Sequence, residues 1–265
     1  MMIQLQLVRA FTEHPQAGNP AGVICFGQFL PDHQLQQLAL QANQPVTAMV
    51  APTNNGYLIR WFTPQQEINL CGHGTLAAAA VLFAKSPEMS QVAFFSRYGN
   101  LQVCKSVAGF SLCLPLFELS ELAIAELPAA ITQGQTVAAA CGRDLILELP
   151  SMQQVIDYKP DLNAICQLPW HALLVTAFDD AASPGYVLRY FAPSIGIDED
   201  PATGSAHCSL LPYWQMKYPN LVGTWQARQC SEQGGDFQLR RVGEQLELTS
   251  QAVLISEEWL SVELL

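Results

Sequence analysis

Short alternating or apolar stretches at residues 3–9, 22–26, 46–51 and 57–62 predict strands. Between the first two lies Gly18-Asn19-Pro20-Ala21-Gly22, a stretch rich enough in glycine and proline to predict a turn rather than strand or helix. Pro31-Asp32 predicts a helix start, and Leu35, Leu38, Ala39 and Ala42 then fall on one face up to Asn43, with Pro45 ending the segment. Asn54-Asn55-Gly56 reads as a tight hairpin turn. Further strands are predicted at 92–104, 110–116, 224–229, 236–241 and 245–249. Two helices are predicted behind short glycine turns, Ala77 to Phe83 after Leu70–Leu76 and His207 to Trp214 after Asp198–Ala206. The run Leu76 to Phe83 is apolar all round, which predicts burial on every side.

The chain repeats itself. Shifted by 129 positions, Pro31-Asp32 meets Pro160-Asp161, Val46-Thr47-Ala48 meets Val175-Thr176-Ala177, and Gly56-Tyr57 meets Gly185-Tyr186. Arg60, Phe62 and Pro64 likewise meet Arg189, Phe191 and Pro193. These are ten identities in 34 positions, where ordinary composition would give about two. One further residue of shift brings Gly74-Thr75 onto Gly204-Ser205. Two copies of a helix, strand, strand, turn, helix unit are expected, with a crossover from Leu116 to Pro128 and a small-molecule site at their junction.

Half of the 265 residues are apolar, enough for a substantial core. A net charge of -11 without a basic run argues against nucleic acid as a partner. No apolar run approaches the roughly 18 residues needed to span a bilayer, and no secretory leader is evident, so a cytoplasmic protein without a membrane partner is expected. The eight cysteines include no C-x-x-C and most sit in apolar surroundings, which predicts reduced, mostly buried thiols. No metal is expected, because Cys71 and His73 have no further His or Cys cluster to complete a four-ligand set. Neither glycine turn fits a nucleotide fingerprint, and no cofactor is expected.

The chemistry concentrates in the two glycine turns. Each leaves backbone N–H groups at a helix start, where they and the helix dipole attract anionic oxygens. In Cys71-Gly72-His73-Gly74-Thr75, His73 reads either as a proton carrier or substrate hydrogen-bond partner, or as a structural histidine satisfied by the backbone. Cys71 is a candidate thiol at a helix N-terminus. In Glu199-Asp200-Pro201-Ala202-Thr203-Gly204-Ser205-Ala206, the amides of Gly204, Ser205 and Ala206 are candidates to hold a carboxylate. Asp200 is a candidate to orient His73 or bind an amine, against the alternative of a plain helix cap.

Gly18–Gly22, Arg60-Trp61-Phe62-Thr63-Pro64, Cys71–Ala77 and Glu199–Ala206, in that order over nearly the whole chain, resemble the PhzF-like family, named for an isomerase of phenazine biosynthesis. The resemblance implies an α+β fold like that of diaminopimelate epimerases and proline racemases. In that fold two pseudo-symmetric lobes, each a curled, mostly antiparallel sheet around a central helix, are expected at 1–116 and 117–251, with 252–265 returning to the first. It implies a homodimer and a cofactor-independent isomerase or epimerase-like reaction on a small carboxylate-bearing metabolite. His73, Asp200 and Ser205 are then the expected catalytic residues, and Asn19, Gly72, Gly74, Thr75, Gly204 and Ala206 the expected substrate contacts.

Two departures from the family pattern stand out. Pro201 occupies the place of the second cysteine of the two-thiol racemases, which argues against a two-thiol mechanism. The family's Asn-Leu-Ser-Glu-Thr-Ala-Phe segment reads Asn43-Gln44-Pro45-Val46-Thr47-Ala48-Met49 here, so Val46 stands where the family's proton-moving glutamate is expected. Glu13 and Asp200 are substitutes by residue type. The alternative function is a small-molecule binding protein that has lost the base. A one-thiol racemase using Cys71 ranks third.

Overall fold

A computed structural model of the protein describes residues 1–182 and 184–262. The chain forms two compact units, one of residues 1–113 with the segment from Thr249 on, the other Leu114–Leu248. The last three positions of the predicted C-terminal strand, 263–265, lie outside the described residues.

In the first unit, strand Met2–Ala10 pairs antiparallel on one side with Ala252–Ser261 and on the other with Asn19–Cys25. Asn19–Cys25 pairs parallel with Thr47–Thr53, which forms a hairpin with Gly56–Phe62. Gly56–Phe62 then pairs parallel with Gln91–Ser96. The helix Gly72–Lys85 packs against four of these strands, Met2–Ala10, Asn19–Cys25, Thr47–Thr53 and Ala252–Ser261. Its residues Gly74–Ala79 and Val81–Phe83 are buried, the outcome its uninterrupted apolar run requires. Helix Asp32–Ala42 starts behind Pro31 and ends on Asn43 in the left-handed conformation, laying Leu35, Leu38, Ala39 and Ala42 on a core with Leu5, Ile24, Met49 and Phe62.

The second unit repeats this order of pairings. Leu145–Glu148 pairs parallel with Leu173–Phe178, which forms a hairpin with Gly185–Phe191, which pairs parallel with Trp225–Gln229. The helix equivalent to Asp32–Ala42 shrinks to Leu162–Cys166. The 129-residue shift carries Leu40 onto Pro169, which has no N–H to continue a helix. The core helix here is His207–Lys217, with a tight 3-10 turn at Gly204–Ala206 before it. Pro212 lies inside this helix and leaves the Cys208 carbonyl without its helical donor; the Phe117 amide fills the vacancy at 2.9 Å.

Three expectations are corrected. Gly18–Gly22 is not a turn throughout, because Asn19–Cys25 is a strand. Pro20 pairs only with Arg9, and the parallel partner on the other side begins at Gly22, so its missing N–H costs no ladder bond there. Only Gly18, with φ +72°, keeps turn geometry. The strand expected at 92–104 is a hairpin, Gln91–Ser96 and Gly99–Ser106, turning where Gly99 takes φ +132°. None of the eight cysteines forms a disulfide, but only Cys71 and Cys208 are buried. Cys113 is exposed because it alternates with the inward Leu112 and Leu114 along its strand.

His207 is fully buried, with Nδ1 2.8 Å from the Tyr186 hydroxyl and its ring 4.2 Å from that of Phe237. Burial disfavours its charged form and lowers its pKa to about 3. The unfolded chain therefore binds one more proton between the ordinary histidine value and pH 3, so this stability is complete above about pH 6.5 and lost as pH falls. The expected slope is about 1.4 kcal/mol per pH unit between about pH 6 and 4. Urea unfolding across that range should show a shallower pH dependence in His207→Gln; identical profiles would contradict the assignment.

Candidate active site

The first glycine turn begins on the clamp that holds it. Arg60 donates from Nε and Nη2 to both Glu67 oxygens at 2.7 Å, and from Nη1 to Asp32 at 2.8 Å. This ties the segment before Cys71 to the start of helix Asp32–Ala42. Cys71 then serves as the N-cap of helix Gly72–Lys85, its Sγ accepting from the Gly74 amide at 3.3 Å. That amide and the helix dipole favour negative charge developing on the sulfur. The Thr75 hydroxyl is committed to the Cys71 carbonyl at 2.7 Å, which fixes the turn.

His73 stands with Nδ1 3.3 Å from Cys71 Sγ. Its surroundings desolvate the ring and lower its pKa to about 4, so at neutral pH the imidazole is uncharged and able to accept a proton. Gly74 is packed hard: a Cβ there would meet Trp61 Cδ1 at 3.1 Å and both Cys71 Sγ and Val46 Cγ1 at 3.3 Å. Val46 is therefore beside the turn that carries Cys71 and His73. The buried Trp61 Nε1 and Thr47 Oγ1 have no hydrogen-bond partner among the described residues. Asn19 is buried on its strand, and Glu13 is exposed in the loop before it.

The second turn is built in the same way. Arg189, the repeat counterpart of Arg60, donates from Nε and Nη2 to Glu199 at 2.7 and 2.8 Å. Its Nη1 donates to the carbonyls of Ile156 and Tyr158 at 3.1 and 2.7 Å. Asp200 accepts the Thr203 hydroxyl at 2.5 Å, and Gln229 bridges the turn by accepting from the Thr203 amide and donating to the Asp200 carbonyl. Gly204 and Ala206 are buried, and the Ala206 amide is spent on the Thr203 carbonyl. The Ser205 hydroxyl lies 3.3 Å from Arg143 Nη2.

Thus Cys71, His73, Gly74 and Val46 come together in one unit, and Asp200 with Thr203, and Ser205 with Arg143, in the other. The sequence reading omitted Arg143, the buried Asp144 beside it, Glu67 and Gln229. A signal existed for three of them: Arg143-Asp144 is a charged pair between two apolar strands, and Arg60 recurs as Arg189 with an acid a short way downstream in each copy, Glu67 in the first.

The sequence profile of the PhzC-PhzF family, phenazine biosynthesis-like proteins, matches residues 8–258. The chain belongs to this family. An uncharacterized isomerase of Vibrio cholerae serotype O1 is 40% identical over 92% of this chain and 85% of its own. The crystal structure of a PhzF-family protein from Enterococcus faecalis superposes with a TM-score of 0.91 at 33% identity, covering 99% of this chain and 100% of that one. A hydroxyproline epimerase of Agrobacterium vitis shares the fold alone, with a TM-score of 0.59 at 12% identity over 98% of this chain and 92% of that one. The family's fold is the α+β fold of the PhzF and diaminopimelate epimerase type. The family and its named relatives support an isomerase or epimerase-like function. Among the described residues no helix is long and apolar enough to cross a membrane.

Proposed function

We propose that this family member is a cofactor-independent isomerase or epimerase acting on a small carboxylate-bearing metabolite, in which Cys71 and His73 move the proton in place of a glutamate at position 46. The observation that carries this reading is the 3.3 Å approach of a helix-capping thiol to an imidazole that is uncharged at neutral pH. The neutral imidazole takes a proton from the substrate carbon, or takes the Cys71 proton as the thiolate so formed takes the one on carbon, and one proton is returned from the pair at another atom or on the other face. No electrons are gained or lost, so no redox partner is needed. Asp200, held by Thr203, and Ser205, beside Arg143, are the polar groups proposed to bind substrate in the second turn, with the backbone around Gly204; the backbone around Gly72 and Gly74 is proposed to do so in the first.

A second reading, a binding protein of the same fold, is favoured by one observation: Val46 is apolar and 5% exposed, and it cannot exchange a proton. Solvent-deuterium exchange into a panel of small 2-amino, 2-hydroxy and unsaturated carboxylates separates the two. Exchange by the wild-type protein supports the isomerase. Exchange that appears only in Val46→Glu overturns it in favour of a site that has lost its base, and exchange in neither variant leaves binding alone.

A further inference from the structure

We infer that Arg143 is the carboxylate-recognition residue of the second glycine turn, acting with the Ser205 hydroxyl and held in place by Asp144. The inference rests on the carboxylate-substrate reading above, and it adds the group that distinguishes a carboxylate from its neutral isosteres.

Arg143 has five N–H donors. Its Nε meets both oxygens of Asp144 at 3.1 Å, and Nη2 meets Asp144 Oδ2 at 2.7 Å. The other Nη2 hydrogen goes to Ser205 Oγ at 3.3 Å. The two hydrogens on Nη1 have no protein acceptor among the described residues. Asp144 is fully buried, while the Arg143 side chain is one-third exposed. The pair is thus asymmetric, a buried acid pinning a cation whose outer edge reaches solvent. Phe117 covers one face of the guanidinium, with its ring centroid 5.0 Å from Cζ, so the open approach is along the edge that carries Nη1.

Ser205 completes the arrangement. Because its oxygen accepts from Arg143, its own proton is available to donate. A carboxylate placed against Nη1 would take one charge-assisted bond from Arg143 and a second from the Ser205 hydroxyl, a planar two-point match that an amide or alcohol lacks. Phe117 is anchored too, since its amide bonds the Cys208 carbonyl freed by Pro212. The fold therefore fixes both the face and the edge of this guanidinium. An arginine serving only to neutralise Asp144 would not need its distal edge open beside a hydroxyl.

The test uses the full chain and a panel of small carboxylates, each matched to its primary amide. Binding is read by thermal shift and confirmed by titration calorimetry at two salt concentrations. Wild type is expected to bind members of the panel as acids and not as amides, more weakly at high salt. Arg143→Met is expected to weaken that binding at least tenfold, Arg143→Lys to recover part of it, and Ser205→Ala to weaken it severalfold. Because Arg143→Met leaves Asp144 buried without its partner, the double variant Arg143→Met/Asp144→Asn, which removes both charges together, is measured alongside, and it too should lose binding while keeping a cooperative melt. Equal affinity in wild type and in either folded Arg143 variant, equal binding of acids and amides, or no acid bound by wild type would overturn the inference. Failure of the isomerase reading looks different: carboxylate binding would depend on Arg143 while no isotope exchange occurred. Conversely, exchange with an unchanged KM in Arg143→Met would sink this inference and leave that reading standing.

Discussion

His73→Ala is expected to slow isotope exchange at the substrate carbon by about 10²- to 10⁴-fold, the usual contribution of a positioned acid or base. Cys71→Ala should fall in the same range, and the double variant should be little worse than either single one, because two groups 3.3 Å apart in one relay act as a unit. The pH profile gives a second reading. A histidine with the ordinary pKa near 6.5 would lose its basic form through the range just below neutrality. Desolvation lowers the pKa of His73 to about 4, so the basic form persists to that value and the rate should hold from about pH 7 to 5 before falling. Initial rates from pH 4 to 8, with fluorescence showing that the protein stays folded, check this. A midpoint near 6.5, or a Cys71→Ala variant as active as wild type, would contradict the relay.

Arg189→Met is expected to cost about 2–4 kcal/mol of stability, the larger of the effects expected at the two clamps. The guanidinium joins Glu199, immediately before Asp200, to carbonyls at the end of helix Met152–Asp157. Methionine fills much of the volume but leaves Glu199 and those carbonyls without their donor, and Glu199 is only 26% exposed, so water compensates incompletely. Arg60→Met should cost less, since one of its two partners, Asp32, is 75% exposed. Urea unfolding measures both. A loss below about 0.5 kcal/mol for Arg189→Met would show that the ion pair only decorates the turn.

These residues also show where the sequence was legible. The all-apolar run Leu76–Phe83 has one physical solution, burial on every side, and the structure buries all of it but the half-buried Ala80. The 129-residue repeat predicted two copies of one unit, and the strand pairings recur in the same order in both. Local rules failed where a partner strand decided the outcome. Pro20 looks like a breaker until the structure shows it paired on one side only, and Gly99 cuts what looks like one strand into a hairpin. In the site, Cys71 and His73 were visible because they share one turn. The link from Arg143 to the second turn was not, because its partner Ser205 is 62 residues away and only the fold brings them together.

If Cys71 and His73 carry the proton, the reaction needs no cofactor and the carbon that changes must take a proton from solvent. Extensively dialysed protein can be turned over in deuterium oxide on a carboxylate from the binding panel, and the product analysed by mass spectrometry. The expected product carries one non-exchangeable deuterium, forms without any added cofactor and is absent with Cys71→Ala. Product that carries no label, or that forms equally with Cys71→Ala, would contradict it.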